Sequence, residues 1–150
     1  MITNKFQYKL TRSQKAQFEE ALQQLDGRAM TTGEPLHPLL QKAERDALQS
    51  QLESLQTEIT DYEALRTGQH HEFNLTSFDE LPQVLIRARI AASLTQKQLA
   101  ERLGLKEQQI QRYEATGYAS ANFQRVSAVI RALGLQVREE FTLTNKTCLS

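Results

Sequence analysis

The stretch LTQKQLAERLGLKEQQIQRYE, Leu94 to Glu114, decides how the rest of the chain is read. Thr95 with Gln98 three residues on has the form of a capping box, in which a side-chain oxygen and a glutamine satisfy the free N–H groups of a helix start. Gly104 stands where that helix would end, because a glycine reaches the left-handed backbone of a helix stop without strain. Gly104, Leu105 and Lys106 then make a turn into a further short helix, expected over Glu107 to Ala115. Working outward, Asp79 can cap a preceding helix that tolerates Pro82 in its first turn and carries Leu85, Ile86 and Ile90 toward a core until Ser93. A following helix, expected over 121–133, carries Phe123, Val126, Ile130 and Leu133 on one side and ends before Gly134.

Two short helices joined by a three-residue, glycine-bearing turn are the outline of a helix-turn-helix. The same residues resemble the phage-repressor-like (Cro/cI, or XRE) family of DNA-binding regulators, with Gln96, Leu99, Ala100, Gly104, Ile110 and Glu114 at the family's positions. The resemblance covers about residues 81 to 136. Two departures are visible: Lys106 replaces the Ser or Thr cap common in the family, and EATGYASA, 114–121, replaces its usual glycine and proline pattern. The resemblance also implies an ion pair between Arg89 of the first helix of the module and Glu114 at the end of the third.

Helix geometry gives the polar side chains a direction. Each residue advances about 100°, so with Ile110 inward, Gln108 and Arg112 lie on the opposite side with Gln109 and Gln111 flanking. A DNA major groove offers a donor–acceptor pair on adenine and two acceptors on guanine, which suit glutamine and arginine respectively. Gln96, at the start of the preceding helix, is expected to place its side chain and a backbone N–H on a phosphate. The expected DNA-binding set is therefore Gln96, Lys106, Glu107, Gln108, Gln109, Gln111 and Arg112.

Charge divides the chain in two. Its 150 residues carry no net charge, but Pro82 to Arg138 holds nine Lys/Arg against three Glu, a net of +6. Residues 1–81 hold eight basic and thirteen acidic side chains. A basic module suits a polyanion, and the acidic one has another task. No run is apolar enough for a membrane span or a signal peptide, so a cytoplasmic protein is the default expectation. The one cysteine, Cys148, excludes a disulfide within the chain and a cysteine-based metal framework.

In the acidic part, residues 1–68, Thr11 with Gln14 suggests a capping box. Phe18, Ala21, Leu22 and Leu25 then predict a helix over about 12–26, closed by Gly27. After TTGEPLHP, 31–38, a helix is expected over about 37–66. Its Leu48, Leu52, Leu55, Ile59 and Tyr62 recur at the 4, 3 spacing of a heptad seam. The seam fits either an intramolecular hairpin or a coiled-coil-like dimer contact; Phe123 or VREEFTL, 137–143, is the competing dimer surface. Residues 69–78 read as a linker. His70 and His71 lie there without a third ligand at metal spacing, so no metal is expected. Brief alternation at Phe6, Tyr8 and Leu10, at Phe73 and Leu75, and at Val137, Phe141 and Leu143 of the 137–150 tail suggests short strands.

The expected architecture is mainly α: a long-helix hairpin or coiled-coil-like extension, then a repressor-like module over 79–136. The expected function is sequence-specific transcriptional regulation, by a homodimeric repressor reading an operator with helix 107–115. The alternative is an antitoxin that neutralises a partner toxin through the N-terminal helices and represses its own operon. No phosphate loop, nucleophile elbow or HExxH is present, and neither catalysis nor a cofactor is expected.

Overall fold

The computed structural model describes residues 1–31, 37–69 and 71–143 and places six helices among them. These are α1 (Lys5–Thr31), α2 (Pro38–Arg66), α3 (Leu81–Ala91), α4 (Gln96–Leu103), α5 (Glu107–Ala115) and α6 (Phe123–Ala132). A single 3-10 turn, Phe78–Glu80, leads into α3. The expected break at Gly33 and Pro35, and His70 and Cys148, lie outside the described residues.

α1 starts earlier than its sequence spacing suggests. The Asn4 side chain accepts the Gln7 N–H at 2.9 Å, and Gln7 reaches back to the Thr3 N–H at 2.8 Å. That reciprocal cap begins the helix at Lys5, so the expected strand at Phe6, Tyr8 and Leu10 is helix instead. Thr11, expected as a cap, is buried inside it. Gly27 does not stop α1 either. A glycine inside a helix costs only about 1 kcal/mol, and the helix continues to Thr31.

α1 and α2 pack antiparallel. Asp26 pairs with Arg45 near their connection, and at the far end Tyr8 stacks on Tyr62 with centroids 5.1 Å apart and bonds Glu63. α1 packs along α2 over the heptad seam: Leu52, Ile59 and Tyr62 are buried, and Leu48 and Leu55 half-buried. In the single chain this seam is an internal surface of the hairpin.

No strand is present among the described residues. Phe73 half-buries against the core and Leu75 is exposed, both in irregular chain. Val137, Phe141 and Leu143 are exposed, and residues 136–143 form no backbone–backbone bond with another described residue. Alternation alone cannot make a strand; it needs a neighbouring edge to bond. Asp79, expected as the cap of α3, instead donates its N–H to Ser77 Oγ at 3.2 Å and belongs to the 3-10 turn.

Each short helix sends one fully buried side chain to a common centre: Leu85 from α3, Leu99 from α4, Ile110 from α5 and Val129 from α6. Ile2, Ile59, Tyr62 and Leu65 of the N-terminal part join the same apolar cluster. The hairpin and the four-helix module therefore share one core.

Candidate nucleic-acid interface

Local chemistry fixes the ends of α4 and α5. Thr95 Oγ1 accepts the Gln98 N–H at 3.1 Å, and Gln98 Oε1 accepts the Thr95 N–H at 2.9 Å. Gly104, with φ of 65°, ends α4 in the left-handed region. A side chain there would strain the turn that sets α5 against α4. Lys106 offers no acceptor to cap α5, and Gln109 Oε1 accepts the Lys106 N–H at 3.1 Å. Half of a capping box is thus present without the Ser or Thr.

Beneath α5 lies a buried polar network. Arg89, 3% exposed, extends its guanidinium from α3. Nε donates to Glu114 Oε1 at 2.5 Å and Nη2 to Glu114 Oε2 at 2.9 Å. Nη1 donates to the Leu94 carbonyl at 2.8 Å and Nη2 also to the Thr3 carbonyl at 2.6 Å. A forked pair of this kind fixes direction as well as distance. Because the remaining polar atoms are also satisfied, the charges are tolerated out of water.

Gln96 belongs to this network. Its side chain is buried and donates from Nε2 to Glu114 Oε2 at 2.7 Å. The Nε2 amide expected on a phosphate is thus engaged inward with Glu114, while the Lys97 and Gln98 side chains of the same turn are exposed. Gln96, Leu99, Ala100 and Leu103 stand at helical steps of 3, 1 and 3, all buried or half-buried. That stripe places Gln96 on the inner face and is legible in the sequence.

The other expected residues lie on the outer surface. Lys106, Glu107, Gln108, Gln109, Gln111 and Arg112 are all exposed. Gln111 Nε2 bonds Glu107 Oε1 at 3.3 Å and Gln109 is engaged at the cap. Gln108 and Arg112, one turn apart, carry their side chains outward with no partner among the described residues. Arg102 is spoken for, donating Nη1 to the Ala132 carbonyl at 2.9 Å and tying α4 to the end of α6.

Tyr118 is a feature that sequence reasoning missed. It adopts a left-handed backbone, φ 58°, stacks on Tyr113 at 5.7 Å, and buries a hydroxyl with no hydrogen-bond partner among the described residues. Burial first, and the Glu114 carboxylate second, push that phenol far above its usual range, so it stays neutral. Tyr118 lies between α5 and α6, and its ring belongs to the shared core cluster.

Among the described residues, no group of three or more His, Cys, Asp or Glu is arranged to hold a metal ion, and no helix is long and apolar enough to cross a membrane. Residues 85–139 match the family model described as Helix-turn-helix. No curated protein and no solved structure matches the chain.

Proposed function

Taking residues 85–139 as a helix-turn-helix domain of the XRE type, we propose that the chain is a dimeric repressor that reads an operator through the major groove with α5. One observation carries this reading: Gln108 and Arg112 project from a helix whose inner side is clamped by Ile110 and by the Arg89–Glu114–Gln96 network. A reading helix must hold its side chains in register with base edges, and a forked ion pair supplies that stiffness. In this reading Arg112 takes guanine, Gln108 takes adenine, and Lys106, Lys97 and the first turn of α4 hold phosphates. Two copies with reading helices roughly 34 Å apart match a pseudo-palindrome of one helical turn.

The test is selection of bound sequences from a random duplex library by the full chain, followed by gel-shift titration at fixed salt. Enrichment of a two-fold site bound at least about a thousandfold above random duplex is the expected result. Equal affinity for the enriched and random duplexes, with a salt dependence that accounts for all binding, overturns the reading.

A further inference from the structure

The chain leaves α6 through Gly134, in the left-handed region at φ 70°. From there it alternates in type: Leu135, Val137, Phe141 and Leu143 are apolar, and Gln136, Arg138, Glu140 and Thr142 are polar, with Glu139 the exception on the apolar side. Leu135 packs on the core. Beyond it Val137, Phe141 and Leu143 are 51%, 78% and 91% exposed. Leu135 and Val137 also form one wall of a groove of about 520 Å³, whose other walls include Phe73, Leu81, Val84 and Ile130. The groove is of mixed character, with His71, Glu72, Asn74, Gln136 and Arg138 beside those apolar walls, and on the same short segment two large apolar side chains are left uncovered by the described residues.

We propose that residues 135–143 run antiparallel beside the same residues of a second copy, about a two-fold axis at Glu139, with the Phe141 and Leu143 side chains of each copy entering the groove of the other. This deepens the dimeric part of the reading above and rests on it. The register follows from the sequence. With the axis at Glu139, Leu135 faces Leu143 of the second copy, Val137 faces its Phe141, Gln136 faces its Thr142 and Arg138 faces its Glu140. The groove-wall residues therefore meet the most exposed ones, and both Arg–Glu contacts are attractive. Moving the axis to 138 sets Arg138 against itself. Moving it to 140 sets Glu139 against Phe141, and an axis between residues pairs every apolar side chain with a polar one. A contact built this way is isologous and closes as a dimer. Its internal cost is Glu139 facing its own copy.

Sedimentation of the full chain tests the contact. Arg138→Glu and Glu140→Arg each turn attraction into repulsion at two symmetric places and raise the dimer dissociation constant about tenfold, while the double reversal restores it. Glu139→Gln removes the like-charge contact and lowers that constant severalfold. In a Cys148→Ser background, Glu139→Cys crosslinks two chains under mild oxidation. Gln136→Cys does not, because its two copies stand roughly 20 Å apart along the paired segments. A wild-type chain that sediments as a monomer, a dimer indifferent to the charge reversals, or equal crosslinking at both positions overturns the proposal. Phe141→Asp separates it from the DNA reading: the variant becomes monomeric with unchanged thermal stability yet keeps Arg112-dependent binding to an isolated half-site. Loss of half-site binding in the dimeric wild type would instead count against the DNA reading alone.

Discussion

α1 and α2 are 27 and 29 residues long, whereas α3 to α6 run to 11, 8, 9 and 10. Helices shorter than about 12–15 residues are marginal in water, so the short ones must be held from outside. They are: Thr95, Gly104 and Asn122 fix their ends, four apolar side chains meet at the centre, and a forked ion pair joins α3 to α5. The hairpin relies more on length, although α1 also begins at the Asn4–Gln7 cap. α2 has no side-chain cap at its start, and the buried side chains of α2 run from Leu52 to Leu65, toward the end that meets the module. The lesson is that the module is a unit in which each part depends on the others, and the hairpin is a lever braced at one end.

Breaking the network should produce the largest effect. Arg89→Ala or Glu114→Ala leaves its former partner charged and buried and should cost about 3–5 kcal/mol in urea unfolding. Arg89→Leu together with Glu114→Leu should cost less than either single change. Small, equal losses for the two single variants would place this pair on the level of a surface contact and erase the contrast between the two regions.

Ile59→Ala comes next. It opens space where the hairpin meets the shared core and should cost about 2–4 kcal/mol, with a smaller loss for Leu48→Ala, which sits half-buried further out. Amide exchange should show the same gradient along α2, slow around Tyr62 and fast around Arg45. Uniform protection along α2 would contradict the one-ended brace.

Arg112→Ala should leave unfolding within about 0.5 kcal/mol of the parent, as an exposed site does, while costing about 1–3 kcal/mol of operator affinity and relaxing one base position in gel shifts. If its affinity loss were the same on every duplex, Arg112 would be a phosphate contact. The smallest effect belongs to Asp26 and Arg45. Both are about half exposed, and Asp26→Asn should change stability by less than about 1 kcal/mol, less still in high salt. A larger loss there would mean that the outer end of the hairpin is anchored after all.

The helix-turn-helix was legible because its signals are local. A capping box, a glycine stop and an apolar stripe each need only a few neighbouring residues, and α4 and α5 follow the expected limits. The start of α1 was misread because Phe6, Tyr8 and Leu10 are too few to separate a two-residue period from a helix, and Phe6 and Leu10 are in fact exposed. The partner of the heptad seam is a long-range fact that spacing cannot state. Gln96 was read from its position at a helix start, while its place in the buried stripe also pointed inward, toward Glu114. The resemblance alone supplied the pairing of Arg89 with Glu114, and nothing local hinted that the Thr3 carbonyl would join it.

That carbonyl ties the amino end of the chain to the helix proposed to read DNA. Arg89 holds Thr3 and Glu114 with the same Nη2 nitrogen, so displacement of one alters the geometry of the other. Thermodynamic linkage makes such a connection work in both directions with the same free energy. A duplex that immobilises α5 should slow amide exchange in the first turn of α1. A molecule that draws that turn away from α3 should, by the same factor, weaken the grip of α5 on its operator.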